Sequence, residues 1–315
     1  SLVGNVISDD NGHGVDTDPD GDTLLVSTVN GQVANVGNSV TGTSGGSFTI
    51  QANGSYAFDP GNDFDYLGFG QSASTQVNYT VSDGTSTDTA TVTVTISGTN
   101  DAPTAEGTIP DQNGVDGTTI SPLDISGFFA DLDANDSLTF TSSTLPPGLV
   151  LDGSSGVITG TFPANASNGG PYSVTIVGTD GSGQSISQSF SWAITNTGPT
   201  ARHDVLATTQ DSSVTANVIA GDNGFGVDFD PDGDSLSVSA LAGVASIVGT
   251  GVSGSAGGTF SVQADGSLVF DPGADFDYLG VAETATTQVA YTITDGTATS
   301  TATVTVAVTG TNDAP

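Results

Sequence analysis

Apolar residues recur at every second position through much of this chain. Near position 90, Ala90, Val92, Val94 and Ile96 alternate with Thr91, Thr93 and Thr95. Period two with one apolar face predicts a β-strand packed on a core from one side. Just upstream, Val77, Tyr79 and Val81 alternate with Asn78, Thr80 and Ser82, and Asp83-Gly84 follows. Two such runs joined by a Gly-containing turn predict a hairpin. The pattern returns at Val289–Ile293, Asp295-Gly296 and then Ala302, Val304, Val306 and Val308. A third version has Tyr172, Val174 and Ile176, a turn at Asp180-Gly181, then Phe190, Trp192 and Ile194. Trp192 shares the apolar face of its strand and is predicted to lie in the core. Phe64, Tyr66 and Leu67 are predicted to plug another core. A helical period of 3.6 persists nowhere for more than a turn.

Residues 1–103 align without a gap onto 213–315 at a constant offset of 212, with most positions identical. Chance does not produce this. Both copies end in Gly-Thr-Asn-Asp-Ala-Pro, and a different unit separates them. Two domain types are therefore expected to alternate with that period, giving domains at 1–103, 104–198 and 199–315. Units of about 100 residues with roughly seven short strands each predict an all-β chain of three tandem Ig-like or cadherin-like Greek-key sandwiches. Short linkers containing Pro103 and Pro199 restrict the swing between units, so an elongated rod of roughly 100 Å is expected from strand rise. The segment Ala201–Ser212 has no counterpart before Ser1. The first sandwich is expected to lack its opening segment, to expose a sheet edge and to be the least stable of the three.

Charge narrows the partners. The chain has one basic residue, Arg202, against 35 acids, for a formal net charge of −34. Only Glu106 and Glu283 are not Asp. Phosphate recognition needs Lys or Arg, so nucleic acid is excluded as a partner. Direct binding to an anionic membrane is excluded on the same ground. Without cations such a chain repels itself. There is no Cys, so disulfides do not staple these small domains, and metal is the usual substitute. No stretch is long and apolar enough to span a membrane as a helix. None reads as a signal peptide, so an internal piece of a longer protein is expected.

Much of the Asp is clustered. Asp16, Asp18, Asp20 and Asp22 alternate with other residues around Gly21, and Asp228, Asp230, Asp232 and Asp234 repeat the spacing around Gly233. In a turn, alternate side chains can converge on one centre. Calcium takes six to eight oxygens in loose geometry and suits such a set; magnesium demands stricter order. Zinc is disfavoured with no Cys and two isolated His. The spacing departs from an EF-hand, because no Glu closes the loop. The competing reading is a solvated acidic turn, which a duplication would copy just as well. A second cluster, Asp59 to Asp65, repeated as Asp271 to Asp277, reads as a turn leading into a strand.

These motifs carry a resemblance. The terminal strand with Thr-Asn-Asp-Ala-Pro, and Leu279-Gly-Val-Ala-Glu283-Thr, resemble VCBS-type repeats of bacterial cadherin-like surface adhesins, including the large RTX and biofilm-associated ones. The middle unit, with Leu145-Pro-Pro-Gly-Leu149 and Leu151-Asp-Gly-Ser-Ser-Gly156-Val-Ile-Thr-Gly160, resembles a dystroglycan-type cadherin-like domain or a related Ig domain. The resemblance implies calcium at domain junctions. At the first junction it implies Asn100 and Asp101 from the linker, Asp131 and Asp133 from an Asp-x-Asp loop, Asp180 from a late strand, and Asp136 beside them. In the outer units the same roles fall to the two Asp loops with Asp83 and Asp295. The second linker, Thr195-Asn196-Thr197-Gly198-Pro199, has no Asp. Weaker binding is expected there, with Asp204 as a compensating ligand.

The function that follows is a calcium-stiffened extender in a secreted bacterial surface adhesin, monomeric and contacting chiefly its neighbouring repeats. Other adhesin molecules or surface glycans are the remaining candidate partners. The alternative is a carbohydrate- or protein-binding module, for which Phe225 and Phe229 are the visible loop aromatics. An enzyme is not expected. His13 and His203 do not align and have no partner motif for a triad, and nothing sets paired carboxylates across a cleft.

Overall fold

The computed structural model describes residues 1–312; the last three residues of the second Gly-Thr-Asn-Asp-Ala-Pro motif lie outside the described residues. The first unit contains β1 (Leu2–Asn5), β2 (Leu25–Val29), β3 (Ser39–Thr41), β4 (Ser47–Ile50), β5 (Ser55–Asp59), β6 (Ser72–Ser82) and β7 (Thr87–Ser97). They form two sheets, β1-β5-β4-β3 and β2-β6-β7. The predicted hairpin is β6–β7, with Val77 opposite Val92 and Tyr79 opposite Ala90. Between the sheets lies a core that includes Phe48, Ile50, Phe58, Phe64, Val77 and Val94. Phe64 and Leu67 enter it as predicted, but Tyr66 does not: its ring is exposed.

The middle unit runs through β8 (Thr104–Ala105), β9 (Gln112–Val115), β10 (Leu123–Asp124), β11 (Phe129–Ala130), β12 (Thr139–Ser142), β13 (Leu149–Asp152), β14 (Val157–Gly160), β15 (Tyr172–Thr179) and β16 (Ser185–Thr195). Its main sheet is β12-β15-β16-β9, faced by β10-β14-β13, with the short pair β11-β8 at one end. Trp192 is buried in the core, edge-on to Phe162 at 5.9 Å between centroids. This is a large apolar burial with the oriented ring contact aromatics favour.

The third unit comprises β17 (Asp204–Thr209), β18 (Val214–Asn217), β19 (Ser237–Leu241), β20 (Gly251–Ser253), β21 (Thr259–Val262), β22 (Ser267–Asp271), β23 (Thr284–Thr294) and β24 (Thr299–Thr309). Its sheets repeat those of the first unit, with one addition: β17 lies parallel along the outer edge of β24. Ala302, Val304, Val306 and Val308 are fully buried beneath it. Their counterparts Ala90, Val92 and Ile96 on β7 are only half-buried. Among the described residues no strand pairs with that edge of β7.

The all-β expectation of three tandem sandwiches thus matches the structure, with one separate core per unit. In the middle and third sandwiches an early strand runs parallel to the last one, β9 beside β16 and β17 beside β24. Parallel strands end at the same end of a sheet. The residue after the early strand therefore sits where the linker leaves, and this decides the makeup of the second junction.

Candidate metal centres at the domain junctions

At the first junction the linker is tied into the middle sandwich by its own side chains and backbone. Asn100 Nδ2 donates to Asp180 Oδ2 at 2.9 Å, and the Asp101 N–H donates to Asp133 Oδ2 at 3.0 Å. The Ala134 N–H reaches across to the Tyr66 carbonyl at 3.0 Å. The Tyr66 backbone thus serves the junction while its ring stays in solvent. Asp131, Asp136 and Asp180 bring carboxylate oxygens within 4.8 Å of one another. The tight turn that converges them is held by the Asp133 N–H on Asp131 Oδ1 at 2.9 Å. Asp131 Oδ2 and Asp133 Oδ1 are buried with no hydrogen-bond partner. Burial, with the charges of Asp133, Asp136 and Asp180 added, pushes the Asp131 carboxyl above the usual carboxylate range. The Asn100 bond, with backbone N–H groups of the turn, holds Asp180 below it.

The second junction repeats the clamp. Asn196 Nδ2 donates to Asp295 Oδ2 at 3.0 Å, and the Thr197 N–H donates to Asp232 Oδ2 at 2.8 Å. Asn196 and Thr197 therefore do what Asn100 and Asp101 do, because the Asp101–Asp133 bond uses a backbone donor that Thr supplies equally well. The converging carboxylates here are Asp116, Asp232 and Asp234. Asp116 directly follows β9, and its N–H donates to the Thr195 carbonyl at the end of β16. The parallel pairing delivers it to the junction. It is 1% exposed, with Oδ1 on the Ser167 N–H at 2.9 Å and Oδ2 without a partner. Gly117 (φ +69°) packs against Asp232, where a Cβ would come 2.9 Å from the Asp232 carbonyl oxygen. Any larger residue would push the loops apart.

Sequence spacing did not flag Asp116, which stands alone between Val115 and Gly117. Its signal was available only in the pairing of β9 with β16. Asp230 collects three N–H donors on Oδ1, from Asp232, Gly233 and Asp234. Asp230 Oδ2, Asp232 Oδ1 and Asn196 Oδ1 are buried without partners. Burial, with the neighbouring carboxylates added, raises the Asp230 and Asp234 carboxyls above their usual range.

The remaining predicted residues fall elsewhere. Asp228 is buried under the Tyr291 hydroxyl, which donates to it at 3.1 Å, and takes the Arg202 N–H at 2.6 Å. Asp204, on β17, takes Asn223 Nδ2 at 2.7 Å. It lies beside Asp228 and Tyr291, apart from the Asp116 cluster. In the first sandwich, Asp16 pairs with the Tyr79 hydroxyl at 3.0 Å, and Asp18 Oδ1 takes the N–H groups of Asp20 and Asp22. Asp83 caps its own hairpin turn through Thr85 and Ser86. Asp20 and Asp22 are exposed, and no three acids of this loop converge. The second acidic cluster is a turn: Asp63 and Asp275 each accept one Gly N–H, from Gly46 and Gly258, at 2.7 Å.

The bacterial cadherin-like domain model matches residues 3–98 and 196–310, two thirds of the chain. The chain belongs to the bacterial cadherin-like domain family. Between the two cadherin-like matches, residues 102–195 fit the family model described as "Putative Ig domain". Among solved structures the cadherin-like chain is similar to mouse Cadherin-23 EC22-24 at 14% identity, covering 92% of this chain and 86% of that one with a TM-score of 0.39. Mouse clustered PcdhgC3 EC1-3 matches at 15% identity over 84% of this chain and 86% of that one, with a TM-score of 0.41. An endo-fucoidan hydrolase of glycoside hydrolase family 107 matches at 16% identity over 95% of this chain but 40% of its own length, with a TM-score of 0.31. No curated protein matches.

Proposed function

We propose that these three cadherin-like modules, bounded near residues 103 and 198, form a calcium-stiffened extender of a secreted bacterial surface adhesin. The observation that carries this reading is the junction clamp, built twice from different linker sequences around buried carboxylate oxygens that lack partners. A buried polar atom without a partner costs roughly 1–3 kcal/mol, more when charged. A hard cation removes that cost at several oxygens together. The donor set is all oxygen, which suits calcium. At the first junction Asp131, Asp133, Asp136 and Asp180 would hold it, with Asn100 and Asp101 fixing the linker. At the second, Asp116, Asp230, Asp232 and Asp234 would, with Asn196 and Asp295 as the clamp. The bound ion would neutralise the acids and join two domains through one site, so that bending the rod would cost coordination bonds. Asp16, Asp18, Asp20, Asp22 and Asp83 would form the equivalent site only against a preceding linker.

A stiff, extracellular, monomeric spacer requires only its neighbouring modules as partners. The test is isothermal titration of the chelated chain with calcium, together with small-angle scattering. Two sites and a longer, stiffer particle are expected. No heat and an unchanged scattering profile would overturn the reading.

A further inference from the structure

The two loop aromatics that the sequence singled out are engaged within the chain. Arg202 lies over the Phe229 ring at 5.1 Å, and His203 meets Phe225 edge-on at 6.3 Å between centroids. Phe69 has no such partner and is 82% exposed, the most exposed large apolar side chain among the described residues. A tight turn puts it there. The Gln71 N–H donates to the Gly68 carbonyl at 3.1 Å, and Gly70 takes φ +79° at the third position, as a type II turn requires. Phe69 holds the corner. The Gly68 N–H donates in turn to Gln71 Oε1 at 3.1 Å, which leaves Gln71 Nε2 as a spare donor.

This turn meets the middle sandwich at the first junction. Gly68 packs on Asp133, where a Cβ would come 3.2 Å from the carboxyl carbon. Between the two domains opens a cavity of about 220 Å³, lined by Phe69 and Gln71 on one side and by Asp133, Asn135, Asp136 and Ser182 on the other. Asp133 is 4% exposed, and its Oδ1 has no partner. Asn135 makes no hydrogen bond among the described residues. The lining comes from residues 68–182, well inside the chain.

The lining selects its ligand. Amides, a hydroxyl and carboxylates offer donors and acceptors together, which suits a molecule that carries both. An aromatic face at the rim suits an apolar ring face. A sugar ring combines the two, with hydroxyls around its edge and C–H groups on its face. Asp133 and Asp136 repel carboxylate, sulfate and phosphate, so the sugar is neutral. The cavity is smaller than the roughly 300–1,000 Å³ of sites for drug-sized ligands, which limits it to one ring.

We propose that the first junction binds a single neutral sugar ring of a glycan, stacked on Phe69 and hydrogen-bonded by Gln71, Asn135 and Ser182, with Asp133 and Asp136 accepting from its hydroxyls. Both domains hold the ring, so it grips the junction. The third sandwich has Val281 and Glu283 at the positions of Phe69 and Gln71 and lacks the aromatic and the amide. Asp133 and Asp136 are also proposed calcium ligands; Phe69, Gln71, Asn135 and Ser182 are not, and the site does not rest on calcium.

The test presents the full chain, in calcium and in chelator, to an array of neutral hexose and deoxyhexose glycans, with uronate- and sialate-terminated glycans beside them. Binding to at least one neutral glycan is expected. Phe69→Ala should weaken it by about tenfold or more, and Phe69→Trp should retain it. Asn135→Ala should weaken it as well, and Phe225→Ala should not. Calcium titration of Phe69→Ala should match the parent chain, so a failed calcium reading shows in that isotherm and a failed sugar site on the array. Binding of no neutral glycan in either condition overturns the proposal. So does binding of acidic glycans alone, or neutral binding that Phe69→Ala leaves unchanged.

Discussion

The first and third sandwiches share most of their sequence, yet their Asp loops are in different states. In the third, Asp232 and Asp234 converge with Asp116 of the middle sandwich, and Asp230 and Asp232 each bury an oxygen without a partner. In the first, Asp20 and Asp22 face solvent and Asp18 satisfies its own loop. The four Asp, the Pro and the Gly of the loop are the same in both copies, with Thr17 against Phe229 the one change, so the difference in the acids lies in the neighbour. Asp116, Asn196 and Thr197 turn a solvated turn into a buried cluster. On the proposed calcium reading, such an Asp loop is half a site, and the domain before it brings the other half.

The largest expected effect that sharpens this contrast is removal of calcium. At free calcium 100-fold above the dissociation constant, one site stabilises its domain by about 2.7 kcal/mol. For a domain of this size that is roughly 10 °C or more of melting temperature. Scanning calorimetry should show chelator lowering the transitions of the middle and third sandwiches by that order, with the first nearly unmoved. Equal shifts in all three would break the comparison.

The next effect is on pH. Asp204 is raised from 3.8 to about 6, chiefly by burial and further by Asp228, against the bonds from Asn223 and Tyr291. A carboxyl whose folded pKa lies above its unfolded value binds its proton more tightly when folded. Its contribution to stability is therefore complete below about pH 4 and is lost as pH rises through about 6. The cost at neutral pH is roughly 2–3 kcal/mol. In chelator the third sandwich should lose stability by that order between pH 4 and 7, and Asp204→Asn should flatten the trend. The first sandwich has no counterpart of Asp204 among the described residues. Denaturant melts across that pH range check both, and an unchanged slope in Asp204→Asn would assign the trend to other groups.

Mirror substitutions separate neighbour from loop more finely. Asp232→Asn should weaken calcium binding at the second junction by at least tenfold, about 1.4 kcal/mol. Asp20→Asn, at the matching position, should leave both binding isotherms in place. Asp116→Asn should behave like Asp232→Asn although it lies in another domain. If Asp116→Asn titrates like the parent chain, the half-site view fails.

The sandwiches were legible because alternation and repeat are local or self-referential properties. Val77, Tyr79, Ala90 and Val92 declared their strands and hairpin, and Trp192 declared its burial. The site was legible only in part. Asp131, Asp136, Asp180, Asp232 and Asp234 were visible as spaced acids and do converge. Asp116 was not, since a lone Asp acquires meaning only when β9 pairs in parallel with β16. Tyr66 was misread as core because its exposed ring follows a tight turn after Phe64 and not a strand period. Asp204 and Asp228 were visible as acids, but their burial beneath Tyr291 depends on β17, whose position on β24 no local pattern announces.

The smallest effect separates the two copies at one hydroxyl. Tyr291 donates to Asp228 inside a closed wall that includes Arg202 and Asp204, and burial together with those two carboxylates drives its phenol far above the ordinary range. Tyr79 makes the matching bond to Asp16 beside an open cleft, where burial and Asp16 raise it less steeply. A hydrogen bond to a charged group contributes about 1.5–3 kcal/mol when its loss leaves the partner buried, and less when water can replace the donor. Tyr291→Phe should therefore cost the third sandwich about 2 kcal/mol and Tyr79→Phe the first about 1 kcal/mol. Urea melts resolving the two transitions measure the difference.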